Sequence, residues 1–280
     1  MTRQAFSRRQ VIAGTLSAAL IGSARRAEAS SRVESDGGFA YLTDPGSPFS
    51  AGVGALPGHE LTRIRLHRPL PLDQGLELAA KLLAAAGRPP TALAALELRA
   101  PKIMSRQEFS TFNGRYLEAL RSRGFVTGDG VAVARSNMVP AYEPPSTDFV
   151  AAFTYAAPSG AGATGGRDFL LSGRPEFATN PDRVIAPGDI SAAGMGQKAE
   201  FVFGQLRQTV NNLGRQWSDV SDVQLYLTQP LESVMPALKA AGLAGSTLIL
   251  APGSAPVIGF DEVRYEFEAD IRRVSDDRVI

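Results

Sequence analysis

The feature that most constrains this chain is an internal echo. The stretch LAAKLLAAAGRPPTALAALELRAP at 78–101 lines up with QLRQTVNNLGRQWSDVSDVQLYLTQP at 205–230, at an offset of about 127 residues. Gly87 meets Gly214, Leu93 meets Val220, Leu96 meets Val223 and Leu98 meets Leu225. Both stretches have the same physical content. Apolar residues recur at helical spacing up to a glycine, which suits a left-handed cap. Polar residues follow, and then an alternating apolar run of strand character. The echo continues with YLEALRSRGF (116–125) against VMPALKAAGL (234–243), each predicted to be a second helix ending in glycine. GVAVARS and STLILAP predict a strand apiece, and DFVAAFTY (148–155) and VRYEFEADI (263–271) a closing strand. DFLLSG (168–173) reads as an opening strand, and the Gly/Ala/Ser run APSGAGATGGR (157–167) as a flexible linker. The expected fold class is α+β, two like units each with a β-sheet and helices on one face. Residues 30–60, rich in Gly, Ser and Pro, are expected to hold at most one short strand, near FAYLT.

The first 29 residues read as an address. Arg3, Arg8 and Arg9 give a basic start, 11–23 is uncharged and largely apolar, and Ala27-Glu28-Ala29 has the small-x-small pattern of a cleavage site. The pair Arg8-Arg9 followed by Gln10-Val11-Ile12 resembles a twin-arginine export signal. The apolar run is too short to anchor in a bilayer, and no later stretch reaches the ~20 residues of a span. The expected organisation is a signal at 1–29, an N-terminal domain at 30–156, a linker at 157–167 and a C-terminal domain at 168–280. The expected location is the periplasm, with no membrane contact after cleavage. Five arginines and one glutamate leave with the signal, so the remainder is slightly acidic, near −3, where the full chain is +1. Neither value implies a nucleic-acid partner. The absence of cysteine excludes thiol catalysis, disulfides and thiolate metal sites. The two histidines, His59 and His67, lie at no common metal-ligand spacing, so no metal is expected.

Several pieces together resemble the RidA/YjgF family. In the C-terminal half these are LLSGRPEF, VIAPGDISAAGMGQ, LRQTVNNLGRQWSDVSDVQLYLTQP and VRYEFEAD; in the N-terminal half they are FSTFNGRY and ARSNMVP. The resemblance implies chorismate-mutase-like units, assembly as a homo-oligomer with a trimer favoured, and sites in clefts between units. It implies hydrolysis of enamines and imines of 2-keto acids with release of ammonia, without a cofactor. By position, Arg135 matches the family's carboxylate clamp, Asn113 the asparagine of the preceding helix, Ser172 the serine after the first strand and Glu266 the glutamate that positions water. Asn137 stands where many members carry a cysteine and joins the substrate-binding candidates. The departures are complementary. The N-terminal half has the arginine and asparagine but no glutamate in FVAAFTY, and the C-terminal half has the serine and glutamate but no arginine in LILAPGSAP. A composite site is therefore expected, with Arg135 and Asn113 of one half facing Ser172 and Glu266 of the other.

The residue types suit that chemistry. A guanidinium holds a carboxylate through a bidentate fork, and a carboxylate can take a proton from attacking water. The leading expectation is an exported hydrolase of small imino or enamino carboxylic acids. A protein that binds a small carboxylate without turnover, or serves in assembly, is the alternative, and a chorismatase-like hydrolase a third reading. Arg135 also reads as a solvated strand-end charge, and Glu266, alternating with Arg264 and Glu268, as part of an exposed strand face.

Overall fold

The structure is a computed structural model that describes residues 30–44, 47–128, 130–160, 165–178, 182–259 and 262–280. The twin-arginine segment and its cleavage site lie outside the described residues, as do positions 161–164 of the expected linker. The first half contributes strands β1 (Arg32–Glu34), β2 (Phe39–Asp44), β3 (Ser47–Ala55), β4 (His59–Pro71), β5 (Leu93–Arg99), β6 (Ala134–Pro140) and β7 (Phe149–Pro158), with helices α1 (Leu72–Ala85) and α2 (Arg106–Arg121). The second contributes β8 (Phe169–Leu171), β9 (Arg174–Pro175), β10 (Phe177–Ala178), β11 (Arg183–Val184), β12 (Asp222–Leu227), β13 (Thr247–Ser254), β14 (Phe267–Arg273) and β15 (Asp276–Val279), with helices α3 (Ala192–Asn212) and α4 (Met235–Ala240).

The expected pair of small chorismate-mutase-like units gives way to one large mixed sheet of 13 strands. Its order is β1-β2-β3-β8-β14-β12-β13-β6-β5-β7-β4-β15, with β9 attached to β14. Three long-range pairings fuse the halves. β3 of the first half pairs with β8 of the second (Gly52↔Leu171, Val53↔Leu170). β15 of the second half runs parallel to β4 of the first (Asp276↔Thr62 to Val279↔Arg65). At the seam β13 pairs antiparallel with β6 (Gly253↔Pro140, Ser254↔Val139). Gly253 is required there, because a Cβ would lie 2.2 Å from Met138 Cε and 2.3 Å from Val139 O.

Two apolar layers cover the sheet. Leu76, Ala79 and Leu83 of α1 and Phe112, Tyr116 and Leu120 of α2 recur at helical spacing and bury against Leu96, Leu98, Val150 and Phe153. Met195, Val202, Phe203, Leu206 and Val210 of α3, with Leu238 of α4, do the same against Leu225, Phe267 and Ile271. Gly87 and Gly214, just past α1 and α3, have φ of 65° and 71°, as the echo predicts.

Three local expectations need correction. The Gly/Ser-rich entry segment forms β1, β2, β3 and the start of β4 rather than at most one short strand; the small residues of β3 lie close against β8. The second helix starts at Arg106, ten residues before the expected 116, where Ser105 and Glu108 form a reciprocal capping box. The closing strand starts at Phe267 rather than 263: the backbone N–H groups of Glu266 and Phe267 donate to the Glu176 carboxylate (2.6 and 3.1 Å).

Between these apolar layers the sheet buries a charged network. Arg63 donates to both oxygens of Glu97 (2.7 and 2.8 Å), and Arg272 donates to Glu97 at 3.2 Å. Arg272 also pairs with Asp270, which accepts from Tyr226 Oη (2.6 Å) and Ser136 Oγ (2.7 Å). Burial pushes the Glu97 carboxyl up, but the two guanidiniums overcome this and hold it well below the usual carboxylate range. Removing one partner of such a set leaves buried charge without compensation. Glu97→Gln is expected to lower the unfolding free energy by about 3–5 kcal/mol, read from urea denaturation at neutral pH.

Candidate active site

Arg135 is the second residue of β6 and is no solvated charge. It is half-buried, and its guanidinium carbon lies 4.3 Å from the ring centroid of Phe49, 4.9 Å from Tyr116, 5.5 Å from Phe112 and 5.6 Å from Phe109. Aromatic faces hold a cation without neutralising it. Among the described residues the guanidinium hydrogen-bonds to Asn113 Oδ1 at 2.9 Å and ion-pairs with no carboxylate. Burial pushes its pKa down, opposed by Tyr116, Glu268 and Asp148. The side chains around it are short of partners. Of the seven buried side-chain polar atoms without a protein partner among the described residues, four belong to Tyr116, Asn137 and Asp148. Asn137 lies two residues from Arg135 and so on the same side of β6. Buried amides normally find partners, and the Asn137 amide has none among the described residues.

The second half reaches Arg135 through Ser172 and Gly173. Ser172 Oγ accepts from Arg135 N (3.0 Å) and donates to Ser50 O (2.7 Å), while Gly173 N donates to Arg135 O (3.2 Å). Ser172 thus spends its hydroxyl on backbone and fixes the arginine strand. On its other side Gly173 meets Glu268: a Cβ there would lie 2.0 Å from Glu268 Oε1. With Asp148, the carboxyl whose charge reaches Arg135 is Glu268. Its pKa is raised to about 8 by burial, then by Asp270 and Glu176, with Arg135 and Arg174 opposing.

Glu266, the glutamate singled out by position, is placed differently. Its carboxylate bonds Lys198 Nζ of α3, a fully buried ammonium that also lies 3.8 Å from Glu176. Glu176 is itself buried, and burial raises its pKa to about 7. The structure so unites Arg135, Asn113 and Ser172 within one chain, sets Asn137 beside them, and gives Glu266 to a lysine. Glu268, Glu176, Lys198 and the aromatic rings were missed from the sequence. The EFE alternation in VRYEFEAD was the one signal for Glu268.

A cavity of about 440 Å³ opens at this place, lined by Phe109, Ser110 and Asn113 of α2, by Arg106 at its first turn, and by Val257, Ile258 and Tyr265 opposite. Its lining offers hydrogen-bond donors and aromatic walls, and Asn113 links it to Arg135. The profile of the family described as 2-aminomuconate deaminase CnbZ matches residues 32–278. The chain belongs to that family. It is also 35% identical over 245 residues to a 2-amino-5-chloromuconate deaminase of Comamonas testosteroni, covering 86% of this chain and 95% of that one. Among solved structures it is similar to a chorismatase (TM-score 0.47, 13% identity, 89% of this chain and 80% of that one) and to a cyanuric acid hydrolase of A. caulinodans (TM-score 0.39, 15% identity, 79% and 68%). The CnbZ match over nearly the whole described chain overturns the RidA/YjgF assignment. What the motifs shared with that expectation is the coarser class, deaminase.

The raised carboxyl groups have a consequence for stability. Glu268 (about 8) and Glu176 (about 7) both lie above the ordinary carboxylate value of 4.5. The folded state therefore holds more protons than the unfolded chain between those values, and stability falls as pH rises through that window. Thermal unfolding from about pH 5 to about pH 9 is expected to show this decline. Glu268→Gln, which stays neutral, should flatten it; an unchanged slope in that variant would place the titration elsewhere.

Proposed function

We propose that the protein is a hydrolytic deaminase of 2-aminomuconate-type substrates, conjugated dicarboxylates with an amino group on the carbon beside one carboxylate. The observation that carries this reading is a guanidinium held among aromatic rings with no carboxylate partner among the described residues, near a buried Glu268 carboxyl whose pKa is raised to about 8. The family and the 35% identical relative support the substrate class.

Arg135 holds the carboxylate next to the amino-bearing carbon, and Asn113 fixes the guanidinium from behind. Asn137 offers a further donor and acceptor. Glu268 is neutral below about pH 8 and donates its proton to the enamine carbon, giving the iminium. The resulting carboxylate takes a proton from water as the water's oxygen bonds to the iminium carbon. Glu268 passes its proton to the carbinolamine nitrogen; the C–N bond breaks with its electron pair going to nitrogen, ammonia leaves, and the hydroxyl gives its proton back to Glu268 as the carbonyl forms. One water is consumed and a 2-oxo dicarboxylate remains. One carboxyl serves as acid and then as base, which requires a pKa near the working pH. Glu266 stands outside these steps, held by Lys198.

Ammonia release from 2-aminomuconate tests the reading. Arg135→Met is expected to lower kcat/KM by about 100-fold, the worth of a lost charge-assisted contact. Glu268→Gln is expected to lower kcat by about 10²–10⁴-fold with KM changed little. In the native protein kcat should fall above about pH 8 as Glu268 loses its proton. A protein that releases no ammonia from 2-aminomuconate would sink the proposal.

A further inference from the structure

The arginine pair near the start of the chain has no part in the site. Arg8 and Arg9 stand ahead of an uncharged stretch, 10–24, and Arg25 and Arg26 close it just before Ala27-Glu28-Ala29. A surface helix of a folded body carries its charge along one face. Here the charge stands at the two ends and the middle has none, the layout of an address that a receptor reads. Basic residues just ahead of a cleavage site disfavour the general secretory route, and the pair Arg8-Arg9 is what the twin-arginine route selects.

The sheet takes hold of the chain just past that layout. Ser31 N donates to Thr43 Oγ1 (2.9 Å), and Ser31 O accepts from Thr43 N (3.0 Å). β1 then pairs with β2 from Arg32↔Leu42 to Glu34↔Ala40. The family match begins at residue 32 as well. A cut between Ala29 and Ser30 falls ahead of these bonds and leaves the β1–β2 pairing whole.

The body also closes late. β15, the last strand, lies parallel to β4, from Asp276↔Thr62 to Val279↔Arg65. β14 brings Arg272 to Glu97, which Arg63 already grips. The buried charges are matched, and the β4 edge is covered, only when the chain has been made almost to its end. A route that threads a chain unfolded holds these partners apart during passage. The twin-arginine route carries chains that have already folded, and so lets the two ends meet first.

We propose that the Ala29–Ser30 bond is a processing site, and that the chain crosses the membrane already folded, by the twin-arginine route, leaving Ser30 as the N-terminus of the mature protein. This is independent of the deaminase reading, and it puts whatever reaction the site performs outside the cytoplasm.

The test expresses the full chain in a bacterial host that has a twin-arginine translocase and in the same host without it. Periplasmic and cytoplasmic fractions are compared by immunoblot, and the N-terminus of the periplasmic form is read by mass spectrometry. The first host is expected to yield a periplasmic form that begins at Ser30, and the second only the full-length chain in the cytoplasm. Replacing both arginines of the pair, Arg8→Lys with Arg9→Lys, should abolish the periplasmic form in the first host. The full-length chain purified from the second host should unfold cooperatively at the same temperature as the mature form. A full-length chain that stays in the cytoplasm of the first host overturns the proposal. So does a periplasmic form made without the translocase, or export that the lysine variant leaves unchanged. A mature form that begins elsewhere overturns the processing site, and a full-length chain with no cooperative unfolding overturns folding before export.

Discussion

Glu97 and the two guanidiniums that grip it decide what kind of sheet this chain can make. Arg63 comes from β4 and Glu97 from β5, both in the first half; Arg272 comes from β14 in the second. None of the three can stay charged in the interior alone. Each is buried because the others are, so the halves are joined through charge before any apolar contact is counted. Asp270, Tyr226 and Ser136 extend the set across β14, β12 and β6 and satisfy most of the remaining donors and acceptors. A buried ionic set adds less stability than an apolar core of the same volume, but it is unforgiving of wrong register. A slip of one residue in β14 would turn Asp270 and Arg272 into the apolar layer under α3.

The same register places the site. β14 presents Glu268, Asp270 and Arg272 on one side by alternation. With Arg272 locked to Glu97, Glu268 is carried to the end of the sheet beside Gly173. Gly173 and Ser172 in turn bond the backbone of Arg135. Acid and cation therefore come from opposite halves yet are tied to one dipeptide. Backbone bonds to that dipeptide fix the strand that carries the arginine, a support that positioning a small substrate requires.

Arg135, Asn113 and Ser172 were singled out by position in a family resemblance, Arg135 also as a charge ending an apolar strand, and the structure brings the three together. Glu268 lies two residues from the expected glutamate and shares its parity, so alternation alone could not choose between them. The choice is made by residues far away in the chain. Glu176 takes the amide of Glu266 and stops the strand at Phe267, and Lys198 takes the carboxylate of Glu266. The fold was legible in the same degree. Helices ending at Gly87 and Gly214 follow from local spacing, whereas the β3–β8, β15–β4 and β6–β13 pairings depend on contacts that no window of sequence contains.

The groups that work against folding are gathered in one region. Burial raises the pKa of Glu268 and Glu176, and among the described residues Arg135 stands among rings without a counter-charge and the Asn137 amide has no partner. Each costs stability, and for Arg135 an anionic substrate would supply the missing counter-charge. The ion set around Glu97 lies on the other side of β6 from Arg135, since Ser136 bonds Asp270 while Arg135 faces the aromatic rings of α2. One strand thus separates a region whose charges are matched within the protein from a region whose cation is left for a ligand. Matching the second region as fully as the first, for example by placing a carboxylate against Arg135, would steady the fold and remove the binding energy that turnover needs.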